Sequence, residues 1–353
     1  MKKKFKKSVV RVGAFIVAMG VIASAMYATH AMTRSFSVNS PVRAAEAGSS
    51  ARAMYTMDVN SGRVFFEKNA NAQMPIASTT KILTAITVLE NTDDLDTPFE
   101  IDSRAVGVEG TSIYLQKGEK LTVRELLLGM MLRSGNDASN ALALRISPSL
   151  EEFAKLMNQT AKKAGAENSH FTNAHGLDCN VKLYGTPVST ARDLALITAY
   201  AMKNPTFREI AATKETKISG PDYKRPIRNK NRLLHGMEDC VGVKTGFTKK
   251  AGRCFVGAAE DNGMTVVNVV LNCGPMFEES ATFMERSLQE FPLTRLIEKD
   301  QFINTTCGTR AIATEDFIYP TSKNDQVEIK IENNKACVYI NGNKVSCSPC
   351  NVL

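Results

Sequence analysis

The stretch "PIASTTKILTAITVLE", residues 75–90, places a serine and a lysine three positions apart at the head of an otherwise apolar run. After Lys81 the apolar residues fall on nearly every face of a helix, which indicates a helix buried on all sides. Because residues three apart on a helix are neighbours, Ser78 and Lys81 are predicted to share a face. A buried lysine amine has a lowered pKa, and the neutral amine can take a proton from a nearby hydroxyl.

Ser78 also lies at the predicted start of this helix, where free backbone N–H groups and the helix dipole favour a developing negative charge. The segment therefore contains a candidate nucleophile, a candidate base and a candidate oxyanion site. The alternative is a serine that caps the helix, followed by a lysine that extends its ammonium group to water. Taken alone, the spacing favours this alternative.

Two further elements support the catalytic interpretation. The tripeptide Ser134-Gly135-Asn136 interrupts a helical pattern and supplies a second hydroxyl and an amide, although a plain turn between helices would read the same way. The tripeptide Lys244-Thr245-Gly246 lies on a predicted strand and offers a cation and a hydroxyl to a carboxylate. Its glycine lets a ligand approach the backbone closely, and its alternative is a solvated lysine on an edge strand.

Ser-x-x-Lys, Ser-x-Asn and Lys-Thr-Gly in this order resemble the signature of penicillin-binding proteins and serine β-lactamases. The flanking text is similar to the D-alanyl-D-alanine carboxypeptidases of the low-molecular-weight penicillin-binding class, over roughly residues 52–295. The similar segments are "PIASTTKILTA", "MLRSGNDASNALA", "HFTNAHGLD", "VSTARDLALI" and "VGVKTGFTKKAGRCFVGAA". The resemblance implies an α/β (α+β) fold of the β-lactamase/transpeptidase type, with a five-stranded antiparallel sheet flanked by helices and a helical subdomain.

The element pattern independently favours such a sheet. A hairpin is predicted over 53–70, helices follow through the middle of the chain, and alternating strands begin near Val241. Thr122 and Glu125 form a predicted capping box at the start of one central helix. Since strands lead and strands return, the two ends of the chain are expected to close one antiparallel sheet around a helical insert.

The resemblance implies a role for each catalytic residue. Ser78 would be the nucleophile that forms an acyl-enzyme and releases the terminal D-alanine of a peptidoglycan stem peptide, and Lys81 would be its base. Ser134 would relay the proton toward the leaving amine. Water would then hydrolyse the acyl-enzyme. β-Lactam antibiotics would be covalent inhibitors, and no cofactor or metal is implied.

The resemblance also implies the substrate-binding residues. Asn136 would hold the substrate's amide, Lys244 would keep the site positive and orient Ser134, and Thr245 would bind the substrate's carboxylate. Gly246 would let the substrate approach the strand, and the backbone N–H groups of Ser78 and Phe247 would form the oxyanion hole.

One departure from the family concerns recognition of the carboxylate. Relatives often carry an arginine just before the Phe-acid-acid stretch that follows the last strand, where it helps to recognise the substrate's carboxylate. Here that stretch is "GPMFEES", and Met276 stands at the matching place. Arg253, close after the Lys-Thr-Gly strand, is the candidate replacement.

Other functions share parts of this pattern. A DD-endopeptidase that cuts cross-links uses the same residues and cannot be separated by sequence. A common-class β-lactamase needs a Glu-x-x-Leu-Asn segment, and none occurs between 137 and 240. A non-catalytic wall-binding protein would tolerate loss of Ser78 or Lys81, and both are present.

The rest of the chain predicts its compartment and domains. Six of the eight net positive charges lie in the first 31 residues, before and within an apolar stretch, so residues 1–31 are predicted to be a signal peptide or an N-terminal membrane anchor. Nothing in the remainder indicates nucleic-acid binding. We predict a linker over 32–51, the peptidase domain over 52–297 and a small β-rich module over 298–353.

Cysteine and histidine leave several interpretations open. Eight cysteines in an exported chain favour disulfides, whose pairing cannot be read from the sequence. Cys254 and Cys273 are expected to be buried thiols or a cross-strand pair, and zinc is the weaker interpretation of the C-x-x-C at 347–350. His170, His175 and His235 are expected to be turn histidines rather than a metal site or a Ser-His pair.

Overall fold

The computed structural model describes residues 45–46, 48–178, 185–220, 224–304 and 308–353. The predicted targeting segment, most of the predicted linker, Cys179 and Cys307 lie outside these residues. The helices are α1 Lys81–Leu89, α2 Val123–Arg133, α3 Asn136–Ile146, α4 Leu150–Lys163, α5 Ala191–Ala201, α6 Pro205–Ala212, α7 Leu233–Gly236 and α8 Met276–Glu290, with short 3₁₀ turns at Ala77–Thr80 and Ser103–Ala105.

Strands fall into a first group up to the last strand of the central sheet and a second group after α8. The first group is β1 Ala45–Glu46, β2 Ala53–Asp58, β3 Val64–Lys68, β4 Met74–Pro75, β5 Phe99–Glu100, β6 Lys120–Leu121, β7 Val188–Ser189, β8 Glu215–Ile218, β9 Arg225–Arg228, β10 Cys240–Thr248, β11 Gly252–Asp261 and β12 Met264–Leu271. The second group is β13 Leu293–Ile297, β14 Phe302–Asn304, β15 Arg310–Ala313, β16 Phe317–Pro320, β17 Val327–Glu332, β18 Lys335–Ile340 and β19 Asn343–Val352.

The central sheet has the order β1-β3-β2-β12-β11-β10. Its five strands β3, β2, β12, β11 and β10 are antiparallel, which confirms the predicted sheet, and the pairing of β2 with β12 joins the two ends of the chain as expected. The short β1 adds a parallel pairing beside β3. Because β10 is the last strand in this order, its outer backbone edge is free to face the helical part of the chain.

Helices cover both faces of this sheet. All eight residues of β12 are buried, as expected for a strand packed on two sides. On one face α8 contributes Phe283 and Met284 to an aromatic-rich core that includes Phe66 and Phe255 of the sheet. On the other face α5 packs on β2 and β12. Strand β10 contacts α6, α1 and the 3₁₀ turn Ala77–Thr80, so it lies beside the start of α1.

The end of the predicted linker belongs to the fold. Ala51 is fully buried within the core under α8, and the Ser50 backbone N–H donates to Glu279 Oε1 at 2.9 Å. The small residues that suggested a linker are the same residues that let the chain pack closely on a helix. Within the described part of this segment, residues 45–46 pair with β3 and residues 49–51 contact α8 or the core beneath it.

Strands after α8 form a second β-rich region. Strands β14, β15, β19, β18 and β17 form one sheet, and the turns at Asn333-Asn334 and Asn341-Gly342 connect its hairpins with left-handed backbone. Cys337 and Cys347, opposite each other on β18 and β19, form a disulfide. Cys240, Cys254, Cys273 and Cys350 are buried free thiols.

The predicted division at residue 297 cuts between paired strands. β13, which ends at Ile297, pairs with β16, and Ile297 packs in the core of the second region. Arg63 of the first region is 2% exposed and forms an ion pair of 2.7 Å with Asp325. Its guanidinium also lies 4.9 Å from the ring centre of Phe291. Whether 298–353 folds as a separate module therefore stays a prediction.

We expect the Asp325→Ala variant to lose about 3 kcal/mol in the free energy of unfolding, because it leaves a buried arginine without its counter-ion. The matched control is Glu328→Ala, which removes an exposed partner of Lys330 and is expected to lose less than about 1 kcal/mol. Chemical denaturation of both variants measures the difference. Equal losses would show that the Arg63–Asp325 pair does not hold the two regions together.

Candidate active site

Ser78 lies in the 3₁₀ turn Ala77–Thr80, directly before α1, and is half-buried. Ala77 has a φ of +48°, a left-handed conformation that strains a residue with a side chain. A Cβ on Gly176 would lie 1.9 Å from the Ala77 carbonyl oxygen. Only a glycine at this position therefore lets its loop pack so closely against the turn. Such local strain is typical of functional sites, where the surrounding structure enforces it.

Lys81 is fully buried, and its amine reaches back toward the serine. Its Nζ donates to Ser78 Oγ at 3.0 Å, to Asn136 Oδ1 at 2.7 Å and to the His175 carbonyl at 2.8 Å. Burial lowers the pKa of Lys81 well below its usual value, and the nearby charges of Lys244 and Lys230 lower it further. The lysine therefore does not extend to water, as the alternative interpretation of the sequence required.

Hydrogen bonds on both sides fix the Asn136 side chain within the site. It is the first residue of α3, and its Nδ2 donates to the Glu109 carbonyl at 2.7 Å while its Oδ1 accepts from Lys81. Its orientation is thus set by one donor and one acceptor. Ser134, two residues earlier, caps the C-terminal end of α2 with a left-handed φ of +65° and is 5% exposed. The predicted helix break therefore carries both side chains to the same junction.

Strand β10 places Lys244-Thr245-Gly246 against the turn that carries Ser78. A Cβ on Gly246 would lie 3.1 Å from the backbone nitrogen of Ser78, so the absence of a side chain allows this close approach. Lys244 is 1% exposed, and burial together with the nearby charge of Lys230 lowers its pKa to about 7. Thr245 is half-buried, and Phe247 exposes 65% of its surface.

Sequence reasoning missed the contribution of the His175–Gly176 loop. The His175 backbone carbonyl, not its ring, accepts a hydrogen bond from Lys81. Its Nδ1 accepts from the Leu177 N–H at 3.2 Å, and burial, with the charge of Lys81, lowers the pKa of His175 to about 3. The imidazole is therefore neutral at physiological pH. Only the glycine, which must fit against Ala77, offered a signal in the sequence.

Arg253, near the start of β11, and Met276, the first residue of α8, line one open pocket of about 580 Å³. Arg253 lies opposite Phe247 in the sheet, and its Nη1 donates to the Gly274 carbonyl at 3.2 Å. Arg232 also lines the pocket. Two arginines thus lie beside the position where the sequence has a methionine in place of the family's arginine.

These contacts define what the site can do chemically. A hydroxyl, a buried amine of low pKa, an amide and the free edge of β10 converge at one turn, which suits attack of a serine on an acyl group. Among the residues that the structure describes, no group of three His, Cys, Asp or Glu side chains is placed to hold a metal ion.

The family of the chain is identified by its similarity to known proteins. Residues 40–274 match the model of the peptidase S11 family, D-alanyl-D-alanine carboxypeptidase. The chain is 32% identical over 244 residues to D-alanyl-D-alanine carboxypeptidase DacF of Bacillus subtilis, a match that covers 68% of this chain and 61% of DacF. The match thus spans less than two thirds of that relative's length.

Two further relatives bear on the chemistry. A D-alanyl-D-alanine endopeptidase of Escherichia coli is 30% identical over 220 residues, which cover 61% of this chain and 69% of the endopeptidase. The structure of penicillin-binding protein D2 from Listeria monocytogenes, in its ampicillin-bound form, matches with a TM-score of 0.60 and 33% identity over 67% of this chain and 96% of that chain. From the family match and this shared fold, the chain belongs to the peptidase S11 family of D-alanyl-D-alanine carboxypeptidases.

Proposed function

We propose that this protein removes the terminal D-alanine from peptidoglycan stem pentapeptides through an acyl-enzyme on Ser78. The observation that carries the proposal is the buried Lys81 amine, 3.0 Å from Ser78 Oγ and lowered in pKa by its surroundings. Because burial lowers the pKa of this amine, its neutral form is favoured, and the neutral amine can accept the hydroxyl proton as Ser78 Oγ attacks the carbonyl carbon. Membership of the S11 family supports the same reaction.

Each later step has a candidate group. The backbone N–H groups of Ser78 and Phe247 would stabilise the oxyanion of the tetrahedral intermediate. Ser134 would pass the proton to the amine of the leaving D-alanine, which breaks the peptide bond and leaves an ester on Ser78. Water would then add to the ester, and release of the shortened peptide would return the proton to the serine.

Binding of the substrate would use β10. As the edge strand of the sheet, β10 offers unpaired backbone groups to an extended peptide. Thr245 would bind the terminal carboxylate, and the Lys244 cation would keep this end of the site positive. Asn136, fixed by Lys81 and the Glu109 carbonyl, would hold the amide on the acyl side of the scissile bond.

We also propose that Arg253 supplies the charge that Met276 lacks. The Arg253→Ala variant is expected to raise KM for a D-alanyl-D-alanine peptide by about tenfold, because an exposed charged hydrogen bond is worth roughly 1–2 kcal/mol. Addition of Met276→Arg should restore part of the loss. The control is Arg286→Ala, whose side chain pairs with Glu290 on α8. An unchanged KM for Arg253→Ala would remove it from carboxylate recognition.

An endopeptidase that cleaves cross-links is the second candidate function, and the E. coli relative favours keeping it open. Residues 52–353 incubated with a mixture of a pentapeptide muropeptide and a cross-linked dimer, followed by mass spectrometry, separate the two. Loss of one alanine with the dimer intact supports the carboxypeptidase. Cleavage of the dimer supports the endopeptidase, and no change in either argues against both.

We infer an extracytoplasmic location from the N-terminal segment and the substrate. β-Lactams are the expected covalent inhibitors, and the N-terminal segment is the expected route to the membrane. In the part of the chain that the structure describes, no helix is long and apolar enough to cross a bilayer. We propose no role in nucleic-acid binding.

A further inference from the structure

Tyr114 presents its ring to solvent from a strained backbone. Its side chain is 79% exposed, the highest fraction among the large apolar side chains of the described residues. Its φ of +62° lies in the left-handed region, which a residue with a bulky side chain rarely adopts. Neither property stabilises the fold, so both require another explanation.

The peptide groups around Tyr114 are held by a buried carboxylate. Asp137, 1% exposed, accepts from the backbone N–H groups of Ile113 and Leu115, each at 3.0 Å. Ser112 donates its hydroxyl to Asp137, and its Oγ accepts from the Tyr114 N–H at 2.8 Å. Asp137 therefore fixes the residues on both sides of Tyr114.

A buried ion pair holds the backbone carbonyl of Tyr114. Arg225 Nη2 donates to the Tyr114 carbonyl at 3.1 Å, and the same guanidinium pairs with Glu119. The Arg225 and Glu119 side chains are 8% and 3% exposed. Two buried acidic side chains and a buried arginine thus enforce the unfavourable conformation of one exposed tyrosine, and strain enforced in this way is characteristic of functional sites.

The segment that carries Tyr114 also forms one wall of the site. The Asn136 backbone N–H donates to the Thr111 carbonyl at 2.7 Å, and Asn136 Nδ2 donates to the Glu109 carbonyl. A Cβ on Gly110 would lie 2.8 Å from Asn136 Nδ2, so the segment passes directly over the amide. Tyr114 therefore lies on the Asn136 side of the site, whereas the proposed carboxylate contacts are on β10.

We propose that Tyr114 determines specificity by packing against an extended aliphatic side chain on the substrate residue immediately upstream of D-alanyl-D-alanine. This role of Tyr114 deepens the proposed function and rests on it, because it assumes that Asn136 holds the substrate on the acyl side of the scissile bond. An aromatic ring offers a large apolar surface with few rotatable bonds. Since its backbone is already fixed, binding orders little more of the protein, which favours affinity.

The test uses two synthetic peptides that end in D-alanyl-D-alanine, one with Nε-acetyl-lysine upstream and one with glycine. The Tyr114→Ala variant is expected to lose about tenfold in kcat/KM on the acetyl-lysine peptide and less than about twofold on the glycine peptide. Tyr114→Phe should retain the preference, since it keeps the ring. The matched control is Phe302→Ala, which removes a ring that is 64% exposed on β14.

A second variant separates the ring from the fold. Tyr114→Gly removes the same ring but relieves the left-handed strain, so we expect the same loss of preference with an equal or higher Tm. Equal losses of kcat/KM on both peptides, or no loss on either, would overturn the role of Tyr114. A wild-type protein that releases D-alanine from neither peptide would instead refute the proposed function, and the role of Tyr114 with it.

Discussion

Replacement of Ser78 by alanine is expected to abolish covalent labelling by a fluorescent penicillin, with no detectable acyl-enzyme in an intact mass spectrum. The bond that forms in acylation joins the antibiotic's carbonyl carbon to Ser78 Oγ, and alanine has no atom to replace it. The fold should persist, because Lys81 keeps its other two acceptors, Asn136 Oδ1 and the His175 carbonyl. We therefore expect a Tm close to that of the wild type.

The matched control for this variant is Ser322→Ala, in a loop of the C-terminal region. It should label at the wild-type rate. Retained labelling of Ser78→Ala, with a mass shift that maps to another residue, would remove Ser78 as the nucleophile. Loss of labelling together with a large fall in Tm would report unfolding instead, and Ser78→Cys, which keeps a nucleophilic atom of similar size, would then test the same role.

Some of the site could be predicted because its geometry is local. The distance between Ser78 and Lys81 follows from one helical turn, and the capping box at Thr122 and Glu125 forms as its spacing predicts. The position of the Lys-Thr-Gly strand followed from alternation of apolar residues. Its place at the edge of the sheet, beside the serine turn, depends on long-range strand pairing, which the alternation within one strand does not show.

Other features left no readable pattern. Lys81 donates a hydrogen bond to the backbone carbonyl of His175. Because every residue has a backbone carbonyl, the sequence cannot indicate which one accepts this bond. The strain at Tyr114 runs against the local preference of tyrosine and is enforced by Asp137 and Arg225 from distant parts of the chain. The small residues before Ala53 suggested a linker because composition cannot show that α8 packs over them.

Replacement of Lys81 by methionine is expected to lower the rate constant of acylation by about 10²–10⁴-fold, the usual contribution of a positioned base. Methionine has a similar volume and suits a buried position, so the fold should remain. Lys81→Arg should lose as much, because arginine stays protonated and cannot take the hydroxyl proton. The control is Lys163→Met, an exposed lysine on α4 that should acylate normally.

The pH dependence of acylation by the wild-type protein also tests the role of Lys81 as base. Burial and neighbouring cations lower the pKa of Lys81, so its amine is neutral above that pKa and acylation falls as pH decreases through it. The pKa of Lys244 is about 7, so its cation is lost as pH rises above that value, and kcat/KM for a substrate with a carboxylate should fall on the alkaline side. The fall on the acidic side is measured by stopped-flow acylation, and the fall on the alkaline side by peptide hydrolysis. A loss of less than about tenfold for Lys81→Met, roughly 1.4 kcal/mol in the barrier, or rescue by arginine, would contradict the role of base and leave only an electrostatic one.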